Sequence, residues 1–570
     1  MGERLRGFLT RYWWQVEGVT FLLLSILWIL PWGFSGKLYV GDDLAFHLNR
    51  IQGLTAAFKA SGNWFQIPAV ATGAFSAWGY PINLFYPATA LIPAAWLQAV
   101  APGIGGYYVF LVFLNFATLG IAAVVAYQLL QSRGQAFLVA VIYSFAQYRF
   151  LDFFVRGALA EGIVFTFLPI VFYGLYCLTV GDYRKWYWLA IGMALIALTH
   201  VISLALSAVG VVVMLSMWGL SRTEPWRRLR NLGFATVLAV GLSAGFLGPL
   251  AEQLVHVGKL GVAQYSLAQS AAQLGDLFSN SLDNATASNQ INFGVVALLL
   301  TVAALFAWKQ LTAFDRYCLG LSWFFIFLGT NLFPWQLFQG LLGNIQFPWR
   351  FLALAVFPLA LVGARSLILL AHARTFNRKF WTVAVASLAV VGIALGTSER
   401  LYHQVGLGQN KIVTNASYLQ NATTDTTTDY VAQRGQVSMA AVRTHSVPVM
   451  NTQTNGQQLA DLQQQTEQSL ANGLSFHLTS AVPQRIKLPE LAYAGYHVYV
   501  NGRQQTPTLD ANGVVHIKVA AGASQVRYVY QPTVVQILSG WVAALSWLGL
   551  LGTLGWRRYH RSTSTVTKTL

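Results

Sequence analysis

Apolar runs of about 18 residues or more, the length that crosses the hydrocarbon core of a bilayer, recur along this chain from Gly18 almost to its end. No soluble globule has the interior to hide them all. With 55% hydrophobic and only 10% charged residues among 570, the sequence reads as a mainly α, polytopic transmembrane helical protein. Its net charge of +17 could suit nucleic acid. The Lys and Arg, however, fall in short clusters between apolar runs, where membrane topology accounts for them, so no nucleic-acid partner is expected. The two cysteines, Cys177 and Cys318, lie in or beside apolar runs, which leaves neither a disulfide framework nor a cysteine metal site.

The first run, about Gly18 to Trp32, follows Arg4, Arg6 and Arg11, and no small-residue cleavage site comes after it. That pattern is an uncleaved signal anchor with a cytoplasmic N-terminus. Basic clusters at Arg133, at Arg184 and Lys185, from Arg222 to Arg230, at Lys309 and Arg316, from Arg374 to Lys379, and from Arg557 to Arg561 mark the inner side. Everything between them must go out and return. Trp186 to Leu220 therefore holds two crossings that turn outside at the THVIS of Thr199 to Ser203, placing His200 outside. The same parity puts RGALAE, Arg156 to Glu161, and QFPWR, Gln346 to Arg350, on the outer face. The stretch from Leu84 to Val100 would invert this order if it crossed. Pro87 and Pro93 interrupt it, and Trp64, Trp78, Tyr80, Tyr86 and Trp96 give the region a belt-like aromatic content, so it is expected to lie in the outer interface. About twelve crossings result, with both termini inside.

Three parts follow: a transmembrane domain over 1–396 with a first outer loop at about 34–104, an outer soluble domain over 397–533, and a last crossing with a basic tail over 534–570. The middle part is rich in Gln, Asn, Thr and Ser. Its last third alternates as strands, YHVYV, an Asn501-Gly502 turn, VVHIKV and QVRYVY, which predicts a small antiparallel β-rich unit near the C-terminus.

The ionisable residues beside the crossings carry the chemistry. GDDLAFHLNR, Gly41 to Arg50, sets two carboxylates at the mouth of the first crossing, before a helical segment whose apolar stripe is Leu44, Leu48, Ile51, Thr55 and Phe58. Asp43, His47 and Arg50 recur at i, i+4 and i+7 on an adjoining stripe. Asp43 could simply cap the helix, but a cap asks for neither a second aspartate nor His47. Asp152 and Arg156, at i and i+4, could satisfy one another. Glu161 opens a helix, where the dipole favours a carboxylate, whereas Arg350 opens one against the dipole, a position that suits a bound anion. Parity brings these distant elements to one face. Carboxylates, histidines and arginines together meet the needs of glycosyl transfer from a lipid phosphate: a base for the acceptor hydroxyl and cations for the leaving phosphate.

GDDLAFHLNRIQGL, GYPINLFYPA, YRFLDFFVRGALAE, LTHVISL and QFPWRFL, in this order and spacing over about Gly41 to Leu370, resemble the bacterial membrane proteins named for a "6-pyruvoyl-tetrahydropterin synthase-related" domain. Their architecture is similar to that of the GT-C glycosyltransferases, polytopic enzymes of the bacterial plasma membrane that use polyprenyl-phosphate sugars. No histidine trio at metal-ligand spacing supports pterin chemistry, and no nucleotide site is seen. The resemblance implies that Asp42 or Asp43 is the catalytic base. It implies that Lys37, Arg156 and Arg350 meet the donor phosphate, and that His47, Arg50, Glu161, His200 and Gln346 line the site. Some members of that architecture hold a divalent cation (Mg or Mn), for which Asp43 and Glu161 are the candidate ligands. The implied partners are a lipid-linked sugar donor, a cell-envelope glycan acceptor such as a teichoic acid, polysaccharide or glycolipid, and membrane lipid. A lipid-linked saccharide transporter and a non-catalytic envelope-assembly protein are the rival readings. The first needs polar groups near the midplane, and the second makes the acidic pair dispensable.

Overall fold

The computed structural model describes residues 11–69, 73–75, 79–219, 223–406, 411–424, 429–433, 462–470 and 472–566. Arg4, Arg6, Trp78 and Arg222, used above for topology and the aromatic belt, lie outside them.

The chain opens with helix α1 (Trp13–Trp28), a short strand β1 (Lys37–Tyr39) and α2 (Leu44–Ser61), followed by α3 (Ile92–Val100) and the long α4 (Ile104–Leu130). Next come α5 (Arg133–Ser144), continued after a bend by Gln147–Val155, then α6 (Leu168–Thr179), α7 (Tyr187–Ala197), α8 (Val201–Trp218) and α9 (Pro225–Val257). The bundle is completed by α10 (Val295–Phe306), α11 (Ala313–Leu328), α12 (Leu352–Leu370), α13 (Phe376–Gly406) and, after the β domain, α14 (Val534–Val566). Leaving aside α2 and α3, twelve apolar rods are present among the described residues, matching the parity count. The chain is a multi-pass membrane protein. Five helices, α4, α9, α12 with its lead-in, α13 and α14, are long and apolar enough to cross on their own, and the bent pair at α5 makes six. The other rods are shorter than their apolar runs because breaks divide the runs, such as the turn at Phe165–Phe167 ahead of Pro169.

In the stretch from Leu84 to Val100 the helical part, Thr89–Val100, is short and packs against α2. The apolar stripe of α2 is fully inside, with Leu44, Leu48, Ile51, Thr55 and Phe58 each no more than 2% exposed. At ~1.5–3 kcal/mol per buried large side chain, the four apolar members give on the order of 10 kcal/mol of gross burial that fixes the helix in rotation and depth. Gly62, at φ +70°, ends it in the left-handed cap conformation.

The β domain is a sandwich. Strands β3 (Leu462–Leu470), β4 (Gly473–Ser480), β6 (Tyr496–Val500), β7 (Arg503–Gln505) and β10 (Gly522–Tyr530) form one antiparallel sheet in the order β3-β4-β10-β6-β7. Strands β5 (Gln484–Leu491), β8 (Thr508–Leu509) and β9 (Val514–Val519) form the other, ordered β5-β9-β8. Phe476, Val498, Val526 and Tyr528 meet Ile486, Leu488, Val515 and Ile517 between the sheets. Asn501 and Gly502 both take positive φ, as the expected turn requires. That turn leads into β7, and VVHIKV belongs to the opposite sheet. Alternation marks a strand but carries no information on its neighbour.

The domain sits on one end of the bundle, called here the domain face. Gln253 of α9 exchanges two hydrogen bonds with the backbone of Ala494, and Asn472 accepts from the Ala69 amide at 2.8 Å. A two-stranded ribbon pairs β1 with β2 (Ile412–Thr414), joining the first loop to the segment after α13.

Candidate active site

The acidic loop is held by backbone before any side chain acts. The carbonyl of Arg156 accepts from the amides of both Asp42 and Asp43 at 2.8 Å. Gly41, at φ +62°, lies so close to the carbonyl of Val155 that a Cβ would collide with it, and Gly157, at φ +68°, lies equally close to Leu44. These glycines let two loops, more than a hundred residues apart, lie backbone to backbone.

Asp43 occupies the N-cap position of α2, yet its side chain makes no capping hydrogen bond. The capping explanation is therefore removed. Its side chain is exposed to solvent, with protein crowding round the carboxylate. Desolvation raises its pKa above the usual aspartate range, against the lowering pull of Arg156 and Arg350. Asp42 points elsewhere, exposed and 3.5 Å from Lys411.

Beside Asp43 lies a buried ionic cluster. Arg156 pairs with Asp152 at 2.5 Å and with Glu161 at 3.4 Å, while its guanidinium lies 4.3 Å from the Trp349 ring centroid. Glu161 also accepts from Tyr148 at 2.8 Å and pairs with Arg350 Nε at 3.2 Å. Arg350 donates in addition to the Ile345 carbonyl and to Gln346 Oε1. Gln346 holds φ +63°, a left-handed position for a non-glycine residue, which turns it back toward Arg350. Thus Glu161 has three partners, and the anion that Arg350 needs at its helix start is in the first place Glu161.

A second group adjoins it. His47 and Arg50 are buried on α2, and the Arg50 guanidinium lies 4.0 Å from the Tyr86 ring centroid while donating to the carbonyls of Tyr86 and Pro87. Tyr86 stacks at a tilt on His200, 5.5 Å away, and on Tyr430, 5.3 Å away. His200 Nδ1 is 2.7 Å from Ser203 Oγ. Burial, with Arg350 next in weight, pushes His200 down to about 3, and burial with nearby Arg50 keeps His47 well below its ordinary value. Both are neutral imidazoles near neutral pH.

Of the expected site residues, the structure brings together Asp43, His47, Arg50, Arg156, Glu161, His200, Gln346 and Arg350, with Asp42 at the rim. It does not gather Lys37, whose exposed ammonium lies over the Tyr402 ring at 5.7 Å. The metal candidates do not fit either. Both carboxylate oxygens of Glu161 are engaged, with two guanidiniums against one of them, and a divalent cation would meet their repulsion. Among the described residues no group of three or more His, Cys, Asp or Glu side chains is placed to hold a metal.

Tyr148, Ser203, Tyr430 and Lys411 are additions that sequence reasoning missed. Tyr430 belongs to a polar segment without periodicity, and nothing in its neighbourhood signals it. Arg149 was missed as well. Fully buried on the bent continuation of α5, it donates to Asn115, the Ser144 carbonyl and Thr118.

From the cluster an apolar groove leads into the bundle. Its upper part, a gap of about 10 Å³, is lined by Glu161, Arg350, Ser203, Leu168, Ser207 and Leu354. The last three recur in the next part, about 30 Å³, with Val211, Met214 and Phe325. Charge at the head and hydrocarbon below are thus continuous between α6, α8 and α12.

No family model matches the chain, and no curated protein does. The named bacterial family drawn from the five motifs has no support beyond those motifs. Among solved structures the chain is similar to ArnT from Cupriavidus metallidurans bound to undecaprenyl phosphate, at 13% identity over 74% of this chain and 76% of that one, with a TM-score of 0.40. A likeness that distant carries no weight for function.

Proposed function

We propose that this protein is an integral membrane glycosyltransferase of GT-C type, moving a sugar from a polyprenyl-phosphate donor to a hydroxyl of a cell-envelope acceptor on the outer face. The observation that carries this reading is the continuity of the Asp43, Arg156, Glu161 and Arg350 cluster with the apolar groove. An amphiphile with an anionic head and a long hydrocarbon tail matches both parts at once. Asp43 is the base. Desolvation makes it a better proton acceptor than an ordinary aspartate, and its exposure leaves it open to an incoming hydroxyl. In the step, the acceptor oxygen bonds to the anomeric carbon and gives its proton to Asp43, while the bond from that carbon to the phosphate oxygen breaks. Polyprenyl phosphate leaves with the bonding electrons, and Arg350, at the head of the groove, stabilises the charge it gains. Attack opposite the leaving group inverts the anomeric configuration. No metal enters the step. On this reading the domain face is extracellular and both termini are cytoplasmic.

The test is transfer from a radiolabelled polyprenyl-phosphate sugar in reconstituted vesicles. Asp43→Asn keeps shape and removes the base, and lowers the rate by about 100-fold or more at unchanged expression. Asp42→Asn, altering a rim residue, costs far less. For the wild type, the rate falls as acidification protonates Asp43, at a pH above the usual aspartate range. Full activity of Asp43→Asn would remove the catalytic assignment and favour a transporter or scaffold.

A further inference from the structure

The connection between α11 and α12, residues 331–345, contains no charged residue. It runs as a 3-10 turn, Trp335–Phe338, one helical turn, Gln339–Leu342, and a second 3-10 turn, Gly343–Ile345, directly before Gln346 and Arg350. Two of its sides are committed. On the inner side Trp335 is buried, donates to the Leu328 carbonyl at 3.0 Å and stacks on Phe351. On the polar side Gln339 accepts from the Leu267 amide and donates to the Tyr265 carbonyl, and Asn331 donates to Gln273 at 2.6 Å. The remaining side presents Leu337 and Leu341, one helical turn apart and each 80% exposed, with Leu332 at 57%.

A pair of leucines at this exposure is costly in water, and here it stands at the ends of two membrane helices, where the apolar bundle surface continues into it. The same connection packs on α8 through Gly343–Ile345, and α8 and α12 are walls of the groove. We infer that residues 331–345 insert Leu337 and Leu341 into the outer leaflet and form the sill over which a long-chain lipid donor slides sideways into the groove. The partner is lipid hydrocarbon, since a connection without charge offers nothing to a polar macromolecule. The donor's identity rests on the proposed function, whereas insertion of the leucines does not.

Two measurements separate these. Leu341→Cys carrying a bimane fluorophore, in vesicles, is quenched by doxyl-labelled phosphatidylcholine and shielded from iodide. Thr508→Cys, exposed on the β domain, shows the reverse, and the natural cysteines, both buried, stay unlabelled. Iodide quenching of the position-341 probe without lipid quenching overturns the inference. In transfer assays the double variant Leu337→Asn and Leu341→Asn raises KM about tenfold for a full-length polyprenyl-phosphate sugar in the bilayer, and leaves KM for a short-chain, water-soluble analogue unchanged. An equal rise for both donors overturns the sill. Lipid quenching of the Leu341→Cys probe, together with a wild type that transfers from no donor, upholds insertion and ends the proposed function.

Discussion

Replacing Glu161 by Gln tests whether this carboxylate is the keystone of the buried cluster or a metal ligand. Glutamine keeps the length of the side chain and can still accept from Tyr148, so the change removes charge alone. Arg156 retains Asp152 at 2.5 Å. Arg350 loses its salt-bridge carboxylate, 3.2 Å away, and keeps the Ile345 carbonyl, Gln346 and the faces of the Phe347 and Trp349 rings. At an effective dielectric of about 20, a pair at that separation is worth about 5 kcal/mol before desolvation. Breaking one partner of a buried pair typically costs ~3–5 kcal/mol. Because Arg350 borders the groove and can swing toward it, the expected loss is at the lower end, about 3 kcal/mol. The assay is reversible unfolding in mixed micelles, with a double-mutant cycle against Arg350→Met. Removing both charges leaves none unpaired, so the double variant is more stable than the two single losses predict, by about 1–3 kcal/mol. A loss under about 1 kcal/mol, or strict additivity, refutes the keystone argument. Stabilisation of the wild type by Mn that vanishes in Glu161→Gln would establish the metal role instead.

Two further outcomes follow from the geometry. Gly41→Ala places a Cβ against the Val155 carbonyl at positive φ, costs about 1–2 kcal/mol or more in strain, and weakens transfer by shifting Asp43, read as a lowered rate beside a lowered unfolding midpoint. His200 is held neutral with a pKa near 3, against about 6.5 in the unfolded chain. The unfolded state therefore binds the extra proton between those values, and the stability present above pH ~6.5 is lost by about 1.4 kcal/mol per unit as pH falls toward 3. His200→Asn makes the pH dependence of the unfolding midpoint shallower by one proton. An unchanged slope would show that His200 titrates freely in the fold.

What the sequence made legible was set by local pattern. The stripe Leu44, Leu48, Ile51, Thr55 and Phe58 repeats at helical spacing and is wholly inside. Basic clusters gave the parity that brings Asp43, Arg156, His200 and Arg350 to one end. The alternation in YHVYV and QVRYVY marked true strands. What stayed hidden depends on contacts between distant residues. Nothing near Glu161 announces Arg350, and nothing in the polar stretch around Tyr430 announces a ring stacked on Tyr86. Lys37 looked suitable because charge can be read from sequence and direction cannot. Three residues at the end of a bundle can share a face while only two share a cavity. The turn at Asn501-Gly502 was readable, but strand order in a sandwich is fixed by which faces bury one another, and both candidate partners alternate equally well.

The ribbon between β1 and β2 carries a consequence for biogenesis. Its two halves leave the ribosome more than three hundred and fifty residues apart, so Lys37 to Tyr39 waits unzipped through the insertion of nearly the whole bundle. Lys411, which meets Asp42, arrives with the late half. The loop of Asp42 and Asp43 accordingly gains its final brace only when synthesis is well advanced, and a nascent chain arrested before that point would be threaded into the bilayer with that loop unbraced.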